Sequence, residues 1–356
     1  MRLGVLDIGS NTVHLLLVDA HPGARPTPYA SHKRSLSLVR YLDAEGNINE
    51  EGQRELINFI QEAKSFAAER KVEDLLAFCT SAIRESRNGD HVISLVENTT
   101  GIQIFELSGV EESGVTFFAV RRWFGWSAGQ ILNFDIGGGS FEIAVGVDEL
   151  PTVAASIPLG AGRLTRDWLP GDPPNHKDIK ALRKYIRSTL KEAYQEFAPE
   201  LAPTLITGSS KTFRSLARIT GAAPYEDGPY VPRYLQLEDL KLWSNRIAAM
   251  TYEDRASLPG VSVERAGQLL AGAMVAEQAM DIFKIDRLQI SPWAMREGLI
   301  MRRLDFLVYD GFFNMQPCLV DSRSPLEHQA MEQLRESSSL HPKMLEDASH
   351  QNGAQN

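Results

Sequence analysis

Cysteine is nearly absent from this chain of 356 residues: only Cys79 and Cys318 occur, far apart. Two such residues form neither a disulfide framework nor a zinc-ligand pattern, and they fit a reducing, cytoplasmic setting. Long apolar runs are missing as well. No stretch approaches the roughly 20 residues that a membrane helix needs. At the start, Asp7 interrupts the apolar run too early for a secretory leader. Positive charge is in deficit: 37 Lys and Arg stand against 46 Asp and Glu, a net charge of −9. That balance excludes general binding to nucleic acid or to an anionic membrane. An anionic ligand would need positive side chains gathered locally.

What is there reads as a globular protein, with 43% hydrophobic and 23% charged residues. The length suits two domains, each able to bury a core. Residues 2–8 and 12–19 are apolar runs on either side of Gly9-Ser10-Asn11-Thr12, which predicts a hairpin. A third strand is expected around 34–41. Leu56, Ile57, Ile60, Ala63 and Ala67 recur at helical spacing, so 50–70 is expected as a helix capped by Asn49. A strand at 74–79, a helix from Ser81, a strand near 102–107 and a helix from about Glu111 follow.

Then the opening pattern returns. A strand at 130–136, the turn Gly137-Gly138-Gly139-Ser140 and a strand at 141–147 repeat the first hairpin. Aligning Asp7-Ile8-Gly9 with Asp135-Ile136-Gly137 gives an offset of 128 residues (135 − 7) and pairs Thr12 with Ser140. A repeat on that scale implies a duplicated fold. After a Gly-, Pro- and Asp-rich loop at 170–176, a long amphipathic helix is expected over 177–198. A strand at 203–207 leads into Gly208-Ser209-Ser210-Lys211-Thr212. Helices fill most of 236–283, and a strand at 287–290 precedes a helix bearing Arg296-Glu297-Gly298. Strand-rich segments followed by helices, twice over, indicate an α/β protein of two related domains with a cleft between them. The expected divisions are 1–114, 115–300, an extension at 301–320 that packs back, and a mobile tail at 321–356.

Two turns carry the chemistry. A turn such as Gly9-Ser10-Asn11-Thr12 offers backbone N–H groups and hydroxyls to an oxyanion, though Gly and Asn also suit an ordinary hairpin. Three consecutive glycines in the second copy cost conformational entropy and make sense where backbone must approach a ligand closely. Asp135 at one strand end and Glu142 at the next strand's start suit a hard cation such as Mg²⁺ or Mn²⁺. Solvated acids on a hairpin are the alternative. Glu111 and Glu112, at a helix start, complement the helix dipole on residue type alone. His14, Trp123 and Trp126 are expected as packing residues.

Several segments together resemble the exopolyphosphatase/guanosine pentaphosphate phosphatase (Ppx/GppA) family. Asp7–Thr12 and Asp135–Glu142 look like its two phosphate motifs. Thr80-Ser81-Ala82-Ile83-Arg84-Glu85, Leu107-Ser108-Gly109-Val110-Glu111-Glu112, Leu159–Thr165 and Arg296-Glu297-Gly298 match in order and spacing, over roughly residues 1–305. The resemblance implies two ribonuclease H-like domains of the actin/sugar kinase superfamily. It implies Glu112 as general base and Arg84 as a catalytic, phosphate-binding arginine. Ser10, Asn11 and Thr12 would contact phosphate on one wall, with Gly137, Gly138, Gly139 and Ser140 on the other. Asp135 and Glu142 would position the metal. Gly208, Ser209, Lys211, Arg163 and Arg296 are chain-binding candidates, with Arg296 supporting the second domain's cleft wall.

The activity implied is hydrolysis of terminal phosphate from inorganic polyphosphate, by a homodimer. Guanosine pentaphosphate (pppGpp) 5′-phosphatase activity is the nearest alternative. A superfamily kinase and a non-enzymatic nucleotide sensor are others. Gly208–Thr212 does not have the spacing of a Walker loop. Long family members continue into further domains; a shorter groove leads to an expected preference for short chains. Lys33, Arg34, Arg40, Arg163, Arg166, Lys211 and Arg214 are the bases expected to line that groove.

Overall fold

The computed structural model describes residues 1–21 and 23–315. Cys318 and the expected tail at 321–356 lie outside the described residues. The first sheet holds β1 (Arg2–Ile8), β2 (Val13–Asp19), β3 (Thr27–Arg34), β4 (Asp74–Cys79) and β5 (Ile104–Glu106), in the order β3-β2-β1-β4-β5. The second holds β6 (Ile131–Ile136), β7 (Phe141–Gly146), β8 (Val153–Ile157), β9 (Leu205–Gly208), β10 (Tyr234–Gln236) and β11 (Arg287–Ile290), in the order β10-β11-β9-β6-β7-β8. In each, an antiparallel three-strand meander runs into two strands parallel to its first member, and the second sheet adds β10 as an antiparallel edge strand. The duplication read from the two hairpins is therefore a duplication of topology.

Side-chain alternation explains why the first hairpin is apolar on both faces. Leu6, Ile8, Val13, Leu15 and Leu17 join a core with Leu56, Phe59 and Ile60 of the Glu50–Glu69 helix. Leu3, Val5, Leu16 and Val18 face the other way, onto Val115, Leu299, Ile300 and Leu304. Helices cover both sides, so the strands read as nearly continuous hydrophobic runs. In the second sheet, Phe134, Ile136, Phe141 and Ile143 belong to the core that includes the His176–Phe197 and Leu269–Ile282 helices. Ile131 and Ala144 pack on Phe117 and Val120.

The Gly109–Phe124 helix thus serves both sheets: Val115 packs on the first, Phe117 and Val120 on the second. Its start is fixed by a capping box. Ser108 Oγ accepts from Glu111 N at 3.2 Å, and Glu111 Oε2 accepts from Ser108 N at 2.8 Å. Asn49 caps the Glu50–Glu69 helix as expected, accepting from Gly52 N at 2.9 Å.

Three expectations differ from the structure. The third strand lies at Thr27–Arg34, and only one 3₁₀ turn, Leu38–Tyr41, forms in the segment 34–41. β3 is a largely exposed edge strand, so it carries little apolar signal, while Leu36 and Leu38 are buried from a loop. β8 carries only a short, alanine-rich signal and was not expected. Trp126 is 55% exposed, in a turn beyond the helix end, whereas Trp123 packs edge-on against Trp293 with ring centres 5.3 Å apart.

Candidate active site

The two phosphate-type loops share one turn geometry. Gly9 N donates to Thr12 O at 3.2 Å, and Gly137 N donates to Ser140 O at 2.9 Å. The loops abut. A Cβ on Gly138 would stand 2.8 Å from Asn11 Nδ2, and one on Gly139 would stand 2.5 Å from Ser81 Oγ. The glycines therefore let the second loop approach the side chains of the first lobe, not only a ligand. Gly160 backs the second loop: its Cβ would lie 2.2 Å from the Gly139 carbonyl carbon.

Beside the loops opens a cleft of about 840 Å³. Ser10, Asn11, Thr12, Gly137, Gly138 and Ser140 line it, with Thr80, Ser81, Glu112, Asp135 and Glu142. Gly139 does not, because it faces Ser81. Asp7 also lines it, from the end of β1. Register explains the pairing of the acids: Asp135 sits opposite Glu142 across β6 and β7, as Asp7 sits opposite His14 across β1 and β2.

Five carboxylates line this cavity; Glu264 is held below its usual range, and the other four, Asp7, Glu112, Asp135 and Glu142, are held above theirs. Burial pushes Glu112 up to about 7, with Asp135 and Asp7 adding repulsion and Arg84 opposing. Burial raises Asp135 to about 6, against a hydrogen bond from Ser209 Oγ at 2.7 Å. Burial raises Asp7, with Arg296 opposing. Glu142 is raised well above the carboxylate range by burial, then by Glu112 and Asp135, although Ser156 Oγ donates to it at 2.9 Å. Such under-compensated oxygens suit a hard cation. Among the described residues no three His, Cys, Asp or Glu form a ready-made metal cage. A site using one or two carboxylates plus the ligand's own oxygens is what Mg²⁺ commonly takes.

Positive charge gathers in the same cleft. Lys33, Arg34, Lys211, Arg214, Arg265 and Arg296 line it; Arg40, Arg163 and Arg166 do not. Burial lowers Lys211, and Arg265, Lys33 and Arg214 lower it further. Like charges crowded together in this way favour an anion among them. Arg265 was not singled out in the sequence: it sits in a short helix, and only the fold brings it to the cleft.

Other candidates serve differently from expectation. Arg84 does not line the cavity; its Nη1 donates to the Leu107 carbonyl and lies 3.4 Å from Glu112 Oε2. Arg163 braces the second loop, donating from Nε to Gly139 O at 2.8 Å and pairing with Glu85. Arg296 reaches the first sheet instead of the second: it hydrogen-bonds His14 Nδ1 and lies 3.9 Å from Asp7. His14 is thus a cleft-lining partner of Arg296. Ser209 and Lys211 reach the cleft, but Ser209 holds Asp135, and Gly208 is covered by Phe213.

The model of the Ppx/GppA phosphatase family matches residues 17–306. The chain belongs to that family. Exopolyphosphatase 1 of Mycobacterium leprae is 50% identical over 323 residues, covering 91% of this chain and 95% of that protein. The crystal structure of the Aquifex aeolicus Ppx/GppA family member aligns with a TM-score of 0.73 at 25% identity, over 86% of this chain and 98% of that one. An exopolyphosphatase structure from Cytophaga hutchinsonii has a TM-score of 0.77 at 24% identity, over 86% and 98%, and supports the fold alone. This Ppx/GppA chain therefore has the actin-like, two-sheet architecture of its family. Among the described residues no helix is long and apolar enough to cross a membrane.

Proposed function

We propose that this Ppx/GppA enzyme is an exopolyphosphatase that removes terminal orthophosphate from inorganic polyphosphate. The observation that carries the reading is the placing of Glu112. It opens into the cleft from the start of the helix that both sheets share, while Glu111 beside it is used up in the helix cap. A carboxylate held near 7 is suited to take a proton from water at neutral pH. The identity to mycobacterial proteins named exopolyphosphatase supports the substrate.

Ser10, Asn11, Thr12, Ser140 and the loop amides would bind the terminal phosphoryl oxygens. Glu112 would orient water and accept its proton as the water oxygen attacks phosphorus. The terminal P–O–P bond then breaks, and the shortened chain leaves on its bridging oxygen. Arg84 would orient Glu112. Asp135 and Glu142 would hold Mg²⁺ or Mn²⁺, which when bound offsets phosphoryl charge. Lys33, Lys211, Arg214 and Arg265 would hold the following phosphates. Their confinement to one cleft of about 840 Å³ supports a preference for short chains. The family likeness extends the proposal to a cytoplasmic homodimer.

The test is phosphate release from polyphosphates of defined length and from pppGpp, with and without Mg²⁺. Faster turnover of very long chains would remove the short-chain preference. Faster release from pppGpp would favour the guanosine pentaphosphate reading.

A further inference from the structure

Asn11 in the first loop and Gln268 in the second lobe exchange two hydrogen bonds. Asn11 Nδ2 donates to Gln268 Oε1 at 3.1 Å, and Gln268 Nε2 donates to Asn11 Oδ1 at 2.7 Å. Gln268 occupies the N-cap position of the Leu269–Ile282 helix, yet its side chain does not cap that helix. It reaches across to the other lobe instead. Its amide also lies against the second loop's support: a Cβ on Gly162 would stand 3.1 Å from Gln268 Nε2 and 3.1 Å from the Gly138 carbonyl oxygen. Asn11 lines the cleft, and Gln268 is not among the lining residues.

A reciprocal amide pair fixes the orientation of both members. Flipping one alone would set nitrogen against nitrogen and oxygen against oxygen. Asn11 Oδ1 is held by Gln268, and Nδ2 keeps a second N–H. That arrangement suits an anion, which needs donors and is repelled by a bare carbonyl oxygen.

We propose that Gln268 is a positioning residue for phosphoryl capture. It sets Asn11 so that the amide nitrogen, not the oxygen, meets the ligand. The two residues belong to different lobes, so the pair ties the first loop to the second lobe. The inference rests on the reading of Asn11 as a phosphoryl-binding residue.

The test is a double-mutant cycle on phosphate release from inorganic tripolyphosphate, with Tm recorded for every variant. Gln268→Ala is expected to lose roughly tenfold or more in kcat/KM, the usual consequence of an unmade hydrogen bond at a buried polar group. Adding Gln268→Ala to Asn11→Ala should cost nothing further, because Gln268 acts through Asn11. The exchange Asn11→Gln with Gln268→Asn keeps both amides and their combined reach, and should recover part of the loss. Additive losses in the double variant, or unchanged kcat/KM in Gln268→Ala, would overturn the proposal. If Gln268→Ala does not fold, the exchange variant decides: folded and active supports it, folded and inactive overturns it. Wild-type turnover by Asn11→Ala would overturn the phosphoryl-binding reading of Asn11 itself, and the proposal with it.

Discussion

Arg84 Nη1 lies 3.4 Å from Glu112 Oε2, well beyond the roughly 2.7–2.9 Å of a strong charge-assisted hydrogen bond. In the proposed mechanism this contact would orient the carboxylate. Burial, with Asp135 and Asp7 nearby, outweighs the arginine and leaves Glu112 near 7. A stronger pairing would hold the carboxylate ionised but make it a poorer proton acceptor.

Replacing Glu112 by Gln keeps its size and removes its basicity. The expected loss in kcat is roughly 10²–10⁴-fold, with KM little changed. Steady-state phosphate release checks this; near-normal turnover would remove Glu112 from the base role.

The pH profile should report the same group. A base must be deprotonated, so kcat/KM should rise with pH through an acid limb near 7. Arg84 lowers the pKa of Glu112, so Arg84→Gln should move that limb to higher pH. An unmoved limb in the variant would mean that another group sets it.

Stability should run the opposite way with pH. Glu112 and Asp135 have folded pKa values above their ordinary ones, at about 7 and about 6. Their favourable contribution is complete below the unfolded pKa and is lost as pH rises through the folded one. The metal-free protein should therefore lose Tm between about pH 4 and 7. Glu142→Gln removes one repelled carboxylate, and should raise Tm of the metal-free protein at neutral pH while lowering activity. Added Mg²⁺ should raise Tm more in the wild type than in this variant. A thermal-shift series across pH shows either pattern directly.

Two glycines should behave oppositely on substitution. A Cβ at Gly160 would meet the Gly139 and Ser140 backbone at 2.2 and 2.4 Å, which a side-chain rotation cannot relieve. Gly160→Ala should displace the second loop, with a large loss of activity and about 1–3 kcal/mol of stability. Gly114, in the same helix as Glu112, would meet nothing within 4 Å. Gly114→Ala should leave activity in place and add roughly 0.5–1 kcal/mol. Chemical denaturation beside activity assays separates the two.

The repeat was legible because loops that serve one site keep similar chemistry. Asp7 to Thr12 and Asp135 to Ser140 share strand, turn and hydroxyl, and the structure gives both the same Gly N to hydroxyl-residue O bond. The cap that occupies Glu111 was not read from the sequence, where both glutamates stand only as complements to the helix dipole, although Ser108 and Glu111 have capping-box spacing. What stayed hidden depends on long-range packing. Arg265 and Gln268 sit in an ordinary helical stretch and reach the site only through the second lobe's fold. Arg296 follows the second sheet in sequence, but its helix packs on the first. β3 was displaced because an exposed edge strand carries little apolar signal.

The most direct measurement is orthophosphate release from short polyphosphates of defined length, run beside pppGpp at fixed Mg²⁺, with the wild type and Glu112→Gln. Stepwise release from the polyphosphate end, faster than from pppGpp and lost in the variant, is the expected result. No orthophosphate from any polyphosphate, or equal release by the variant, would contradict a Glu112-dependent exopolyphosphatase.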